Sequence, residues 1–137
     1  MIRFTVHGDQ QPKGRARSVI RNGKIGHYTP KKTMMYEDMV REEVKRMMFG
    51  GVYDGPVEVK IKIFIRIPVA FTKKKRDDAR NGFLRPTSRP DIDNYIKAIC
   101  DAMNKIVYND DSQIVDIDVK KYYSDLPRAE VIVSAIN

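Results

Sequence analysis

Asp91 and Asp93 stand one residue apart in RPDIDNYIK, residues 89–97, and Lys97 follows four positions after the second acid. A second acidic step, Asp110-Asp111, comes just before Ser112-Gln113-Ile114. Each of these residues has a structural use. An aspartate at a helix start caps orphan N–H groups and suits the positive end of the helix dipole. Asp93 can serve as a first-turn dipole partner, Asp110-Asp111-Ser112 as turn chemistry, and Lys97 as half of a helical ion pair. Only one residue can be the cap, so the Asp91/Asp93 pair leaves an acid over. If the acids meet in the fold, two carboxylates about 4 Å apart repel by about 4 kcal/mol at an effective dielectric of about 20. A bound Mg2+, with Mn2+ as a substitute, offsets that repulsion through hard oxygen donors and can carry an activated water. There is no nearby cysteine, and the only histidines are His7 and His27, which argues against zinc. Lys97, beside such a site, either makes an ordinary ion pair or offsets charge in a phosphoryl-transfer transition state.

The elements that must carry these groups read as follows. Residues 2–6 form a short strand, and 17–20 with 25–28 flank Asn22-Gly23, a hairpin signal. Thr29-Pro30 reads as an N-cap followed by proline at the first helical position, opening a helix over 31–49. Met35, Met39, Val40, Val44, Met47 and Met48 are expected inward on it, and Gly50-Gly51 ends it. The alternation over 57–67 predicts a half-buried strand. A second helix over 92–106 points Ile96, Ile99, Ala102, Met103 and Ile106 inward, and sets Asn94, Lys97, Asp101 and Lys105 on another face. Strands at 114–123 and 129–136 close the chain. The sum is a single α+β domain over 1–137, with two main helices packed on a mixed or antiparallel sheet.

Charge points to the partner. The chain carries a net +8, concentrated in two stretches. Residues 13–32 hold Lys13, Arg15, Arg17, Arg21, Lys24, Lys31 and Lys32 with no acid, and 72–90 hold Lys73, Lys74, Lys75, Arg76, Arg80, Arg85 and Arg89 against Asp77 and Asp78. Such segregation favours a polyanion over a merely solvated face, because each neutralised phosphate releases counterions. Lys13, Arg15, Arg17 and the basic residues of 72–90 are therefore candidate nucleic-acid contacts. The stretch 72–90, with Gly82, Pro86 and Pro90 and no steady period, reads as a long functional loop. Within it Phe83 either stacks on an unpaired base or folds back onto the core. The lone Cys100 excludes an internal disulfide and reads as a buried hydrophobe. With no export leader and no apolar run of membrane-spanning length, a cytoplasmic location is expected, with no membrane contact.

Residues 89–123, RPDIDNYIKAICDAMNKIVYNDDSQIVDIDVKKYY, resemble the signature of RusA-type Holliday junction resolvases: D-x-D-N, a lysine four beyond the second acid, a helix carrying D-A-[LM], then D-D-x-Q-[IV]. The N-terminal PKGRARSVIRNGKIGHYTPKKTMMYE resembles the opening of phage-encoded members. The resemblance implies a Mg2+-dependent endodeoxyribonuclease, working as a homodimer on branched, four-way DNA and needing no small-molecule cofactor. By position, it implies that Asp91, Asp93 and Asp111 are the metal carboxylates and Lys97 the catalytic helper. Asp110 ranks below them, and Asp101 matches a recurrent acid without an assigned role. The basic stretch 72–90 is longer than the arginine run of the founding members, so the grip on DNA is expected to differ there.

Two other readings compete. Pro90-Asp91 with Asp118-Val119-Lys120 spells the PD…(D/E)xK letters of restriction-type endonucleases, although that fold sets its proline and aspartate near a strand end. Alternatively, the acids are only caps and turns, and the chain is a non-catalytic basic nucleic-acid-binding module.

Overall fold

A continuous run of alternating branched residues builds the middle of the sheet. The structure, a computed structural model, describes residues 1–12, 17–28 and 31–136; of 17–21, 25–28 and 32–33 only the backbone is described. The chain runs β1 (Ile2–His7), β2 (Arg17–Arg21), β3 (Lys24–Tyr28), α1 (Lys31–Met47), β4 (Val57–Arg66), α2 (Lys73–Arg80), α3 (Ile92–Met103), a 3-10 turn (Asp111–Gln113), β5 (Ile114–Ser124) and β6 (Arg128–Ala135). β4 turns Val57, Val59, Ile61 and Ile63 into the core and Lys60 and Lys62 out. Their stiff side chains suit a pleated, half-buried surface.

The main sheet has the order β1-β6-β4-β5, with β4 antiparallel to β6 and parallel to β5. It is the mixed sheet of an α+β fold. Parallel neighbours need a crossover, and here it contains α2 and α3. That connection sets the start of α3 by the late part of β5, where Lys121 bonds the carbonyls of Ser88 and Pro90. Asn22 (φ 52°) and Gly23 (φ 74°) are both left-handed, as a two-residue hairpin turn between β2 and β3 demands.

One core cluster unites β1, α1, β4, α3 and β6, with Val40, Val44, Ile99, Met103 and Tyr108 at its centre. α1 departs from expectation. Its buried stripe is Tyr36, Val40 and Val44, whereas Met35, Met39 and Met47 are exposed and only Met48 packs partly on the core. A strict i, i+4, i+8 row makes a narrow stripe, and the methionines lie rotated off it. The expected cap Thr29-Pro30 lies outside the described residues. In place of the loop expected at 72–90 there is α2, with Thr72 as N-cap accepting from the Lys75 N–H at 3.3 Å. Of its residues only Ala79 is buried, so the helix has no apolar period to read. α3 stops at Met103 rather than 106, where Asn104 takes an extended conformation and Lys105 a positive φ. Among the described residues, no helix is long and apolar enough to cross a membrane.

Candidate active site

Asp91 occupies the N-cap of α3 with extended backbone, yet its carboxylate makes no capping hydrogen bond. The first turn is closed by the main chain instead, the Asn94 N–H donating to the Asp91 carbonyl at 3.1 Å. Asp93 follows on the same turn, and both acids are exposed. The approach to them is fixed from β5. The Lys121 ammonium donates to the carbonyls of Ser88 (2.8 Å) and Pro90 (3.1 Å), and the Arg85 guanidinium donates to the carbonyl of Lys121. Burial lowers the Lys121 pKa, and the charge of Asp91 acts against that. No sequence signal separated Lys121 from its neighbours; only its parity on the strand does.

One turn along α3, Lys97 pairs with Asp101 at 2.7 Å, which gives the previously unassigned acid a partner. Glu37, reaching over from α1, feels both. Its carboxyl is held above the usual range by burial first and by the Asp101 charge second.

The second acidic step divides its labour. Asp110 caps the 3-10 turn, its carboxylate accepting from the Ser112 N–H at 3.1 Å, and that bond holds its pKa below the usual range. Gln113 completes a capping box by accepting from the N–H groups of Asn109 (2.8 Å) and Asp110 (3.1 Å). Its amide also donates to the carbonyls of Tyr53 and Gly55, each at 2.9 Å, tying the turn to the segment before β4. The Asp-x-x-Gln spacing is the sequence signal for this role of Gln113. Asp111 is left exposed on the turn. The 3-10 turn that carries it packs against α3. Cys100 is buried as expected, and burial pushes its thiol up to about 12.

Asp91 and Asp93 thus stand at the start of α3, Lys97 and Asp101 in its middle, and Asp111 on the 3-10 turn that packs against the helix. Among the described residues, no three His, Cys, Asp or Glu side chains come together as a metal-binding group. The donors remain hard oxygens, and one or two carboxylates completed by substrate phosphate are the usual way of holding Mg2+. The Asp91/Asp93 pair fits that open mode in donor type and number.

The basic residues sort by partner. Arg76 donates to the carbonyls of Val69 and Phe71, and Arg80 pairs with Asp125 (2.6 Å) and Asp77 (3.2 Å), so these two hold α2 to the sheet end. The guanidinium of Arg85 lies 4.1 Å from the Tyr122 ring centre, which gives Tyr122 a packing role. Lys73, Lys74, Lys75 and Arg89 are exposed. Lys13 and Arg15 lie outside the described residues, as does the side chain of Arg17. Phe83 does not fold back onto the core: it is 82% exposed.

The restriction-type alternative loses its geometry. Asp118 and Lys120 pair with each other on the outer sheet face, beside Arg3, Lys60 and Lys62, while the lysine that meets the Pro90-Asp91 segment is Lys121. Adjacent residues of a strand face opposite ways, so the expected Asp91, Asp118, Lys120 set is split.

Comparison with known proteins adds three findings. A family model described as Endodeoxyribonuclease RusA matches residues 8–134. An uncharacterized protein of Bacillus subtilis (strain 168), YqaN, is 40% identical over 138 residues, covering 99% of this chain and 97% of that protein. A crossover junction endodeoxyribonuclease of Lactococcus phage r1t is 35% identical over 79 residues, 57% of this chain and 56% of the phage protein.

Proposed function

Because the chain belongs to the RusA endodeoxyribonuclease family and is an endodeoxyribonuclease, we propose that it resolves four-way (Holliday) DNA junctions by hydrolysing phosphodiester bonds. The observation that carries this reading is the extent of the family match, 8–134, which takes in both acidic steps, Lys97 and the basic helix α2. Nucleases of this type generally depend on a divalent metal.

In this reading Asp91 and Asp93 are metal carboxylates, Asp111 is the third acid of the set, and the ion is Mg2+, with Mn2+ as a substitute. The ion supplies Lewis-acid polarisation of the phosphate and a more acidic bound water. The chain does the rest. Asp91 keeps its carboxylate out of capping, and Lys121 with Arg85 holds the segment that presents it. Lys97 offsets charge developing on the phosphoryl oxygens, with Asp101 steadying its ammonium. Lys73, Lys74, Lys75 and Arg89, together with Lys13, Arg15 and Arg17, grip the phosphates of the arms. A junction with two equivalent strands calls for two identical sites, which a symmetric homodimer supplies, giving paired nicks. No small-molecule cofactor enters.

The test is a synthetic four-way junction set against a linear duplex of the same sequence, with Mg2+ and with chelator. Paired, symmetric nicks confined to the junction and to the Mg2+ arm are expected. Tight, salt-sensitive binding with no nicking in either arm would instead establish the non-catalytic binding module.

A further inference from the structure

We propose that Phe83 is a base-stacking site, an aromatic face held out of the fold to receive one unstacked base of the DNA near the branch. This rests on the reading of the chain as a junction nuclease and adds a contact that the reading does not require.

The ring is 82% exposed, although an apolar side chain of this size ordinarily gains from burial. Looseness does not account for it. The Phe83 N–H donates to the Asp78 carbonyl at 2.9 Å, the Leu84 N–H to the same oxygen at 3.2 Å, and the Gly82 N–H to the Ala79 carbonyl at 3.3 Å. Gly82 takes a φ of 82°, which a residue with a Cβ rarely adopts, and this turns the chain off the end of α2. Leu84 is half-buried and Pro86 buried. The turn is pinned on both sides, and the ring is what it presents.

Its setting is that of a nucleic-acid contact. Arg89 follows it, and the exposed lysines 73–75 lie on the helix that leads into it, whereas Arg80 and Arg85 are held by Asp125 and by the Lys121 carbonyl. Cationic groups that take phosphates, around one aromatic that takes a base, make up the usual mode of binding unpaired nucleotides. The ring is also tied to the reacting end. Arg85 bonds the Lys121 carbonyl, and Lys121 in turn bonds Ser88 and Pro90, so the chain from Phe83 to Asp91 is anchored on β5. Eight residues reach at most about 28 Å, or on the order of eight nucleotide steps at about 3.4 Å each. The stacked base and the nicked phosphate therefore lie within about eight nucleotide steps of each other.

The experiment uses the full chain in chelator and a set of four-way junctions, each with one 2-aminopurine at the branch or at successive positions along an arm, with nicking of the same junctions and of a linear duplex read in parallel in Mg2+. The fluorescence of this adenine analogue rises when it leaves the base stack. Wild type is expected to raise it at one position near the branch. Phe83→Ala should abolish that rise and weaken junction binding by roughly 5- to 150-fold, the usual worth of one aromatic–base stack. Phe83→Tyr should restore both, and Phe49→Ala, which removes another exposed ring (89%) at the end of α1, should change neither. Melting curves that coincide for all four proteins are expected, since neither ring is packed. If Phe83→Ala gives the wild-type fluorescence profile while wild type still prefers and nicks junctions, the stacking site is overturned and the nuclease reading stands. If wild type binds junction and linear duplex alike and nicks neither, the nuclease reading fails and the stacking site fails with it.

Discussion

Two short helical starts, each opened by an aspartate with a second acid close behind, are treated oppositely by the fold. At the 3-10 turn, Asp110 spends its carboxylate on the Ser112 N–H, and Gln113 closes the box from the other side. At α3, Asp91 holds the N-cap position with the extended backbone a cap needs, yet its carboxylate makes no capping bond, and the main chain closes the turn alone. One cap is structural and the other is cap in place only. The hydrogen bond, not the residue type, distinguishes an acid that holds the fold from one that remains available to a cation.

The sharpest way to break this comparison is to exchange the acids within the second start. Asp111→Asn is expected to lower the nicking rate at least about a hundredfold, the scale of losing one group that stabilises charge in a transition state. Asp110→Asn should keep most of it. A reversed pattern would mean that the capping acid is the functional one. Next in size, Lys121→Met removes the ammonium that fixes the carbonyls of Ser88 and Pro90, so the nicking rate should fall about tenfold while junction affinity in chelator holds, because loosened positioning costs rate. Equal losses in rate and affinity would recast Lys121 as a phosphate contact.

The smallest effect lies in stability. The folded pKa of Asp110 is lowered by its bond to Ser112. Its stabilisation is therefore present above the unfolded value of about 3.9 and is lost as pH falls through the lower folded value. Asp110→Ala should melt a few degrees below wild type at pH 7, and the two curves should converge in strong acid. A gap that persists there would remove the carboxylate from the account of the turn.

Strand β4 and the core face of α3 were legible because burial writes a period of two or of 3.6 into the residue types. α2 was not: the run from Lys73 to Asp78 is wholly charged, and the helix rests on a threonine cap and on Arg76 and Arg80 bonding outward, contacts without periodicity. The α1 methionines misled because hydrophobicity alone cannot tell a residue on the buried row from its neighbour. Asp91, Asp93, Lys97 and Asp111 could be named as candidates by type and spacing. Where α3 and the 3-10 turn set them was not legible, because that depends on the parallel β4–β5 crossover. Lys121 and Gln113 act through carbonyls and N–H groups distant in sequence, which no local pattern records.

The central claim is that Asp91 is kept for chemistry and not for holding its helix. Nicking of a four-way junction in Mg2+ and thermal melting, measured side by side for wild type and Asp91→Asn, test it most directly. Loss of nicking by at least about a hundredfold with an unchanged Tm is the predicted result; a lowered Tm with nicking intact would show Asp91 to be a cap after all, and would contradict the account.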